Sequence, residues 1–100
     1  MKSKELSLEQ VDSIIEFFSN GDHSKVLKHI KDLNEDYPNN AFLLNIEGLC
    51  YSSTGEFDKA ISSFKESISL KTKNLDAMYN LGNIYREVNQ HGNAIDLYKE

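Results

Sequence analysis

Shifted by 34 residues, this chain lies over itself without a gap. Gly48 falls on Gly82, Tyr51 on Tyr85, Ala60 on Ala94, Ile61 on Ile95, Phe64 on Tyr98 and Leu44 on Met78. Matched character at one offset constrains the fold more than any other property. A period of this length marks one supersecondary unit that buries its apolar face only by stacking on neighbours. A weaker copy lies upstream, with Phe17 aligned to Tyr51, Gly21 to Gly55, Val26 to Ala60 and Ile30 to Phe64. There Ile14 replaces the glycine. The units run 7–40, 41–74 and 75–100, the last incomplete, after an N-terminal tail of residues 1–6. They form a single repeat domain with a modest core, as 100 residues permit.

Each unit reads as two helices, A and B. Ser7-Leu8-Glu9-Gln10 fits a capping box, with Leu6 and Val11 placed for a hydrophobic staple. Leu8, Val11, Ile14, Ile15 and Phe18 then follow at helical spacing. Asn20-Gly21-Asp22 ends that helix and starts the next, with glycine for the left-handed turn and Asp22 as the expected N-cap. Val26, Leu27, Ile30 and Leu33 make the second stripe, and Tyr37-Pro38-Asn39-Asn40 closes the unit. In the second unit helix A is expected over about Ala41–Ser53, a turn at Gly55, and helix B from about Glu56 to Leu70. In the third, helix A spans about Leu75–Val88, Asn89 takes the turn position, and helix B stops at Glu100. That gives five to six helices. Gly48 and Ala60 are expected where helices A and B cross, since missing bulk lets the axes approach. Tyr51, Phe64, Tyr85 and Tyr98 would fill the space between units.

The residues of the second and third units resemble the tetratricopeptide repeat family. The third shows Met78, Leu81-Gly82, Tyr85, Ala94 and Tyr98; the second shows Leu44, Gly48, Tyr51, Ala60 and Phe64. The first keeps Phe17, Gly21 and Pro38. Glu47 stands where the family has leucine, Thr72 where it has proline, and Ile14 where it has glycine. The resemblance covers residues 7–100. It implies an all-α, right-handed solenoid of antiparallel helix hairpins, with A helices lining a concave groove and B helices forming the outer face.

Carried over by repeat position, the groove candidates of the first unit are Leu8, Val11, Asp12, Ile15 and Phe18. The second supplies Phe42, Asn45, Leu49, Ser52 and Ser53, and the third Asp76, Tyr79, Asn80, Asn83, Arg86 and Glu87. The family's clamp for a peptide C-terminal carboxylate needs cations in the groove. Val11, Ile15, Phe42 and Asp76 occupy much of that ground, so Asn83 and Arg86 do not rebuild it. The A helices carry Glu9, Asp12, Glu16, Glu47, Asp76 and Glu87 against Arg86, while Lys25, Lys28, Lys31, Lys59, Lys65 and Lys99 fall in B helices. Two readings stand. Either the groove leans acidic and takes a segment with apolar anchors and basic flanks, or Glu9, Glu16 and Glu47 point away from it and only solubilise. Asn80 is either a donor–acceptor for a peptide backbone or a solvated surface amide.

Composition removes several alternatives. A net charge of −5 and a pI near 5.1 argue against nucleic acid. No apolar run approaches the ~20 residues of a membrane span, and the polar start lacks signal-peptide character. A cytoplasmic location is therefore expected. Cys50 is expected to be a buried, inert thiol. His23 and His91 sit two repeats apart, too far for one metal ion, and His29 joins Lys25, Lys28 and Lys31 in a basic patch. Ser63 and Ser67 are candidate phosphorylation positions among lysines. Neither a catalytic constellation nor a cofactor or metal motif is found. The expected function is a non-catalytic module that binds a protein or peptide in the groove. The alternative is a substrate-recruiting or oligomerising repeat region of a larger enzyme, such as a glycosyltransferase or sulfotransferase. A chain that stops mid-helix lacks the cap a stack requires. It is expected to be part of a longer protein or to self-associate through its third unit.

Overall fold

A computed structural model of the chain describes residues 5–71 and 73–88. Among them lie five α-helices and no strand: α1 (Leu8–Ser19), α2 (His23–Asp36), α3 (Ala41–Ser53), α4 (Phe57–Leu70) and α5 (Leu75–Val88). They alternate as A and B helices in an all-α stack of hairpins. The expected sixth helix lies outside the described residues, as do Asn89, His91, Ala94 and Tyr98.

Local sequence explains where each helix begins and stops. At α1 the Ser7 hydroxyl accepts from the Gln10 amide at 3.1 Å, and the Gln10 side chain accepts from the Ser7 amide at 2.8 Å. That is the expected capping box. The same Gln10 oxygen accepts from the Tyr37 hydroxyl at 3.2 Å, tying the start of α1 to the end of α2.

The two turns inside hairpins share one geometry. Gly21 and Gly55 both sit at φ +80°, which favours a residue without Cβ. The Asp22 amide donates to the Phe17 carbonyl and the Gly21 amide to Phe18. One repeat later Glu56 donates to Tyr51 and Gly55 to Ser52. Each is a Schellman closure that satisfies the last carbonyls of one helix and feeds straight into the next. This corrects the expected role of Asp22. It occupies the N-cap position of α2, but its side chain makes no capping hydrogen bond. Leaving the Schellman turn, its backbone sits at ψ 60°, whereas Ser7 and Asn40, which do cap, are extended at ψ 160° and 116°.

Turns between hairpins repeat as well. Asn39 and Lys73 both adopt φ 60°. The next residue caps the following helix: Asn40 accepts from the Leu43 amide at 3.0 Å and Asn74 from the Ala77 amide at 3.2 Å.

Two apolar clusters hold the stack. Ile14, Val26, Ile30, Leu33, Leu43, Ile46 and Cys50 form the first, across α1, α2 and α3. Ala60, Phe64 and Ile84 form the second, across α4 and α5. Leu49 of α3 packs against both and joins them. Gly48 has the expected packing role, but the residue that needs the space is Phe64. A Cβ there would lie 2.5–2.8 Å from three atoms of the Phe64 ring.

Candidate functional site

The A-helix residues that the sequence singles out divide into three groups. Leu8, Ile15 and Tyr79 are exposed, at 82%, 47% and 71%. Apolar side chains left this open are not explained by the core. Val11, Phe18, Phe42 and Leu49 are half-buried, and the last three also pack against the first cluster. Phe18 meets His23 edge-on, with ring centroids 5.3 Å apart. Apart from the exposed Asp12 on α1, the polar members lie on α3 and α5. Asp76 and Arg86 are exposed, and Asn45, Ser52, Asn80 and Asn83 are half-buried.

The structure brings some of these side chains together. The Asn80 amide donates to the Asn45 side-chain oxygen at 3.0 Å, linking α3 to α5. Asn80 is thus a partnered amide. Phe42, Asn45 and Asp76 line one small hollow with Ala41, Lys71 and Asn74. The α1 candidates do not line that hollow. They form an apolar strip at Leu8, Val11, Ile15 and Phe18, one helix further along the stack.

Behind the hollow lies a polar hub that sequence reasoning missed. The Ser67 hydroxyl donates to the Ala41 carbonyl at 2.7 Å, and the Asn74 amide donates to the Ser67 hydroxyl at 2.9 Å and to its carbonyl at 3.1 Å. Ser67 and Asn74 are both buried. The hub pins the starts of α3 and α5 to the end of α4, so it fixes the relative position of the two polar A helices. The 34-residue spacing of Asn40 and Asn74 was the available signal.

A tetratricopeptide repeat profile matches residues 43–74, and a second matches residues 77–100, together more than half of the chain. The chain belongs to the tetratricopeptide repeat family. It is also similar to protein bimA of Emericella nidulans, at 30% identity over 64 residues. That stretch is 64% of this chain and 8% of the bimA protein, so the chain spans a small part of that relative. Repeats of this family are protein-interaction modules, and an extended concave surface follows from their stacking.

Several other side chains that the sequence singles out are taken up by packing and hydrogen bonds between helices. Glu47 faces α4, where its carboxylate accepts from the Ser63 hydroxyl at 2.8 Å. Ser63 and Ser67 are buried and hydrogen-bonded, which removes both as accessible phosphorylation positions. Cys50 is fully buried, and burial together with the nearby Glu47 carboxylate pushes its thiol pKa from 9.0 up to about 11. At neutral pH that thiol is a protonated core residue rather than a nucleophile. His29 meets the Phe17 ring at 6.2 Å, and Lys25 lies over the same ring at 5.9 Å. No described helix is long and apolar enough to cross a membrane.

Proposed function

We propose that the A helices of this repeat present a two-part groove that binds a segment of another protein. The apolar strip on α1 receives apolar anchors. The polar part on α3 and α5, around Asn45, Asp76, Asn80 and Asn83, pairs with the segment's backbone and with basic flanks. One observation carries this reading: Leu8, Ile15 and Tyr79 sit at groove positions and remain largely exposed. Their repeat positions are spaced i, i+3 and i+7, which is one face of an A helix, and apolar side chains gathered on one exposed face mark an interaction surface. Glu47 takes no part in the groove, so the acidic character there rests on Asp12, Asp76 and Glu87 beside Arg86. A segment with lysine or arginine next to its anchors fits that balance.

A second reading makes these repeats a recruiting or oligomerising part of a larger protein. It draws on the small share of the bimA protein that the matched stretch represents. The same groove would serve either purpose, as would association through the third unit.

A displayed peptide library tests the groove. The expected winners carry two apolar residues and a nearby basic residue. Ile15→Glu and Asn83→Ala should each reduce their binding, while Lys65→Glu on the exposed side of α4 should not. Winners with acidic C-terminal tails, or winners indifferent to Ile15→Glu, would overturn the reading.

A further inference from the structure

The side of the stack opposite the groove holds a second candidate surface. Between α2 and α4 the edge of α3 comes to the surface, and it carries Glu47 and Tyr51 one turn apart. These two residues line both neighbouring hollows. One opens toward Lys28 and Lys31 of α2. The other opens toward Asp58, Lys59 and Glu66 of α4. Glu47 and Tyr51 are therefore the floor of one cleft with a basic wall on α2 and, on α4, a wall in which Asp58 and Glu66 flank Lys59.

The chemistry of that floor is specific. Glu47 is half-buried, and its hydrogen-bond partner is the neutral Ser63 hydroxyl at 2.8 Å. Among the described residues no lysine or arginine pairs with it, since the ion pair there joins Lys59 to Glu56. A carboxylate has about four acceptor sites, so most of its capacity is unused. Partial removal from water strengthens what a cation would gain there. The Tyr51 ring beside it already attracts an ammonium group, because Lys59 Nζ lies 5.6 Å from the ring centroid.

We propose that this outer cleft docks a protein segment through an arginine that pairs with Glu47 and lies along Tyr51, with an acidic residue of the same segment facing Lys28 and Lys31. Arginine fits better than lysine because its planar fork pairs with a carboxylate in two places and stacks on a ring. The site is independent of the groove. It uses α2, α4 and the far edge of α3, and none of the groove candidates.

The test is an amide-resolved NMR titration of the full chain with the peptide acetyl-Arg-Ala-Ala-Glu-amide. A matching peptide with citrulline in place of arginine keeps the shape and removes the charge. The arginine peptide should shift the amides around Glu47, Tyr51 and Ser63, and the citrulline peptide should bind at least about tenfold more weakly, the loss expected for a charged hydrogen bond. Glu47→Gln should produce the same loss. Glu47→Leu, which carries the family's usual residue, should remove binding while the helical circular dichroism signal is retained, even though the buried Ser63 hydroxyl loses its acceptor, separating loss of the site from loss of the fold. Ile15→Glu should leave the titration unchanged, so failure of the groove reading and failure of this one are distinguishable. No shift at these amides, equal binding of the citrulline peptide, or unchanged binding to Glu47→Gln would overturn the proposal.

Discussion

The first and second hairpins solve the same packing problem in opposite ways. In the second, Gly48 of α3 leaves room and Phe64 of α4 fills it, so the two helices lie closely against each other. One repeat earlier the same positions are Ile14 and Ile30. Both are fully or nearly fully buried, and α1 and α2 are far less closely apposed. Two branched side chains buried in one cluster supply bulk from both helices, whereas a glycine lets an aromatic ring reach the opposing backbone. The first unit is therefore a differently packed hairpin, with bulk supplied from both sides, rather than a decayed copy. Position in the stack adds a second difference. The central helix α3 buries Leu43, Ile46, Gly48 and Cys50, while the edge helix α1 buries Ile14 and exposes Leu8 and Ile15.

The largest effects should come from breaking either pair. Phe64→Ala removes the second cluster's central ring and should cost about 3–5 kcal/mol in a urea titration. Ile14→Gly combines a cavity with a poor helix former and should cost about as much in the first hairpin. Adding Ile30→Phe to Ile14→Gly imports the second hairpin's solution. The double variant should recover about 1–2 kcal/mol relative to additivity. Strict additivity would break the idea that the two pairs are alternatives.

Next in size is the contrast between the central helix and the edge helix, read through a thiol. Cys50 lies buried on α3, and its counterpart on α1 is the exposed Glu16. With its pKa raised to about 11, Cys50 exposes about 100-fold less thiolate than an ordinary cysteine. Iodoacetamide should label the native chain slowly, and should label a Glu16→Cys, Cys50→Ala variant about 100-fold faster. The linkage has a definite sign. The folded state favours the protonated thiol, so its contribution is complete below pH 9.0 and is lost as pH rises through about 11. Replacing Cys50 with alanine should flatten that part of the alkaline stability profile.

Much of this architecture was legible in the sequence because a repeat tests itself. The spacing of Gly21 and Gly55 predicted both hairpin turns, and the Ser7–Gln10 box predicted the start of α1. Less visible were features built from hydrogen bonds between elements. Ser67 looked like one of several surface serines on a lysine-rich helix; only the approach of Ala41 and Asn74 makes it a buried hub. Glu47 looked like one more acid on an A helix, and its direction is set by packing against α4, which periodicity leaves open. The groove candidates rest on repeat position, and sequence could not foresee that Asn45 and Asn80 would pair.

A smaller change probes the close approach itself. Gly48→Ala adds one carbon where the Phe64 ring already lies within 2.5–2.8 Å. Overpacking of this kind costs about 1–3 kcal/mol, and alanine's better helix propensity offsets up to about 1 kcal/mol. A net loss of about 1 kcal/mol or more is expected. In the Phe64→Leu background the clash disappears and the same substitution should become neutral or stabilising. A loss that persists there would place the constraint elsewhere than the ring.

The smallest contrast concerns the two asparagine caps. Asn40 and Asn74 hold the same repeat position and each accepts from an amide three residues on. Asn40 is half-buried and its side chain does little else, so Asn40→Ala should cost about 1 kcal/mol, the usual loss of a cap. Asn74 is buried and also donates twice to Ser67, whose hydroxyl reaches the start of α3. Asn74→Ala should cost about 2 kcal/mol, because it removes the cap and leaves the buried Ser67 groups without their donor. Asn74→Asp keeps the acceptor and removes the amide donor, so it should retain the cap while losing the bonds to Ser67. Equal losses in Asn40→Ala and Asn74→Ala would mean that the hub adds nothing to capping, and that the second and third A helices are held by their apolar contacts alone.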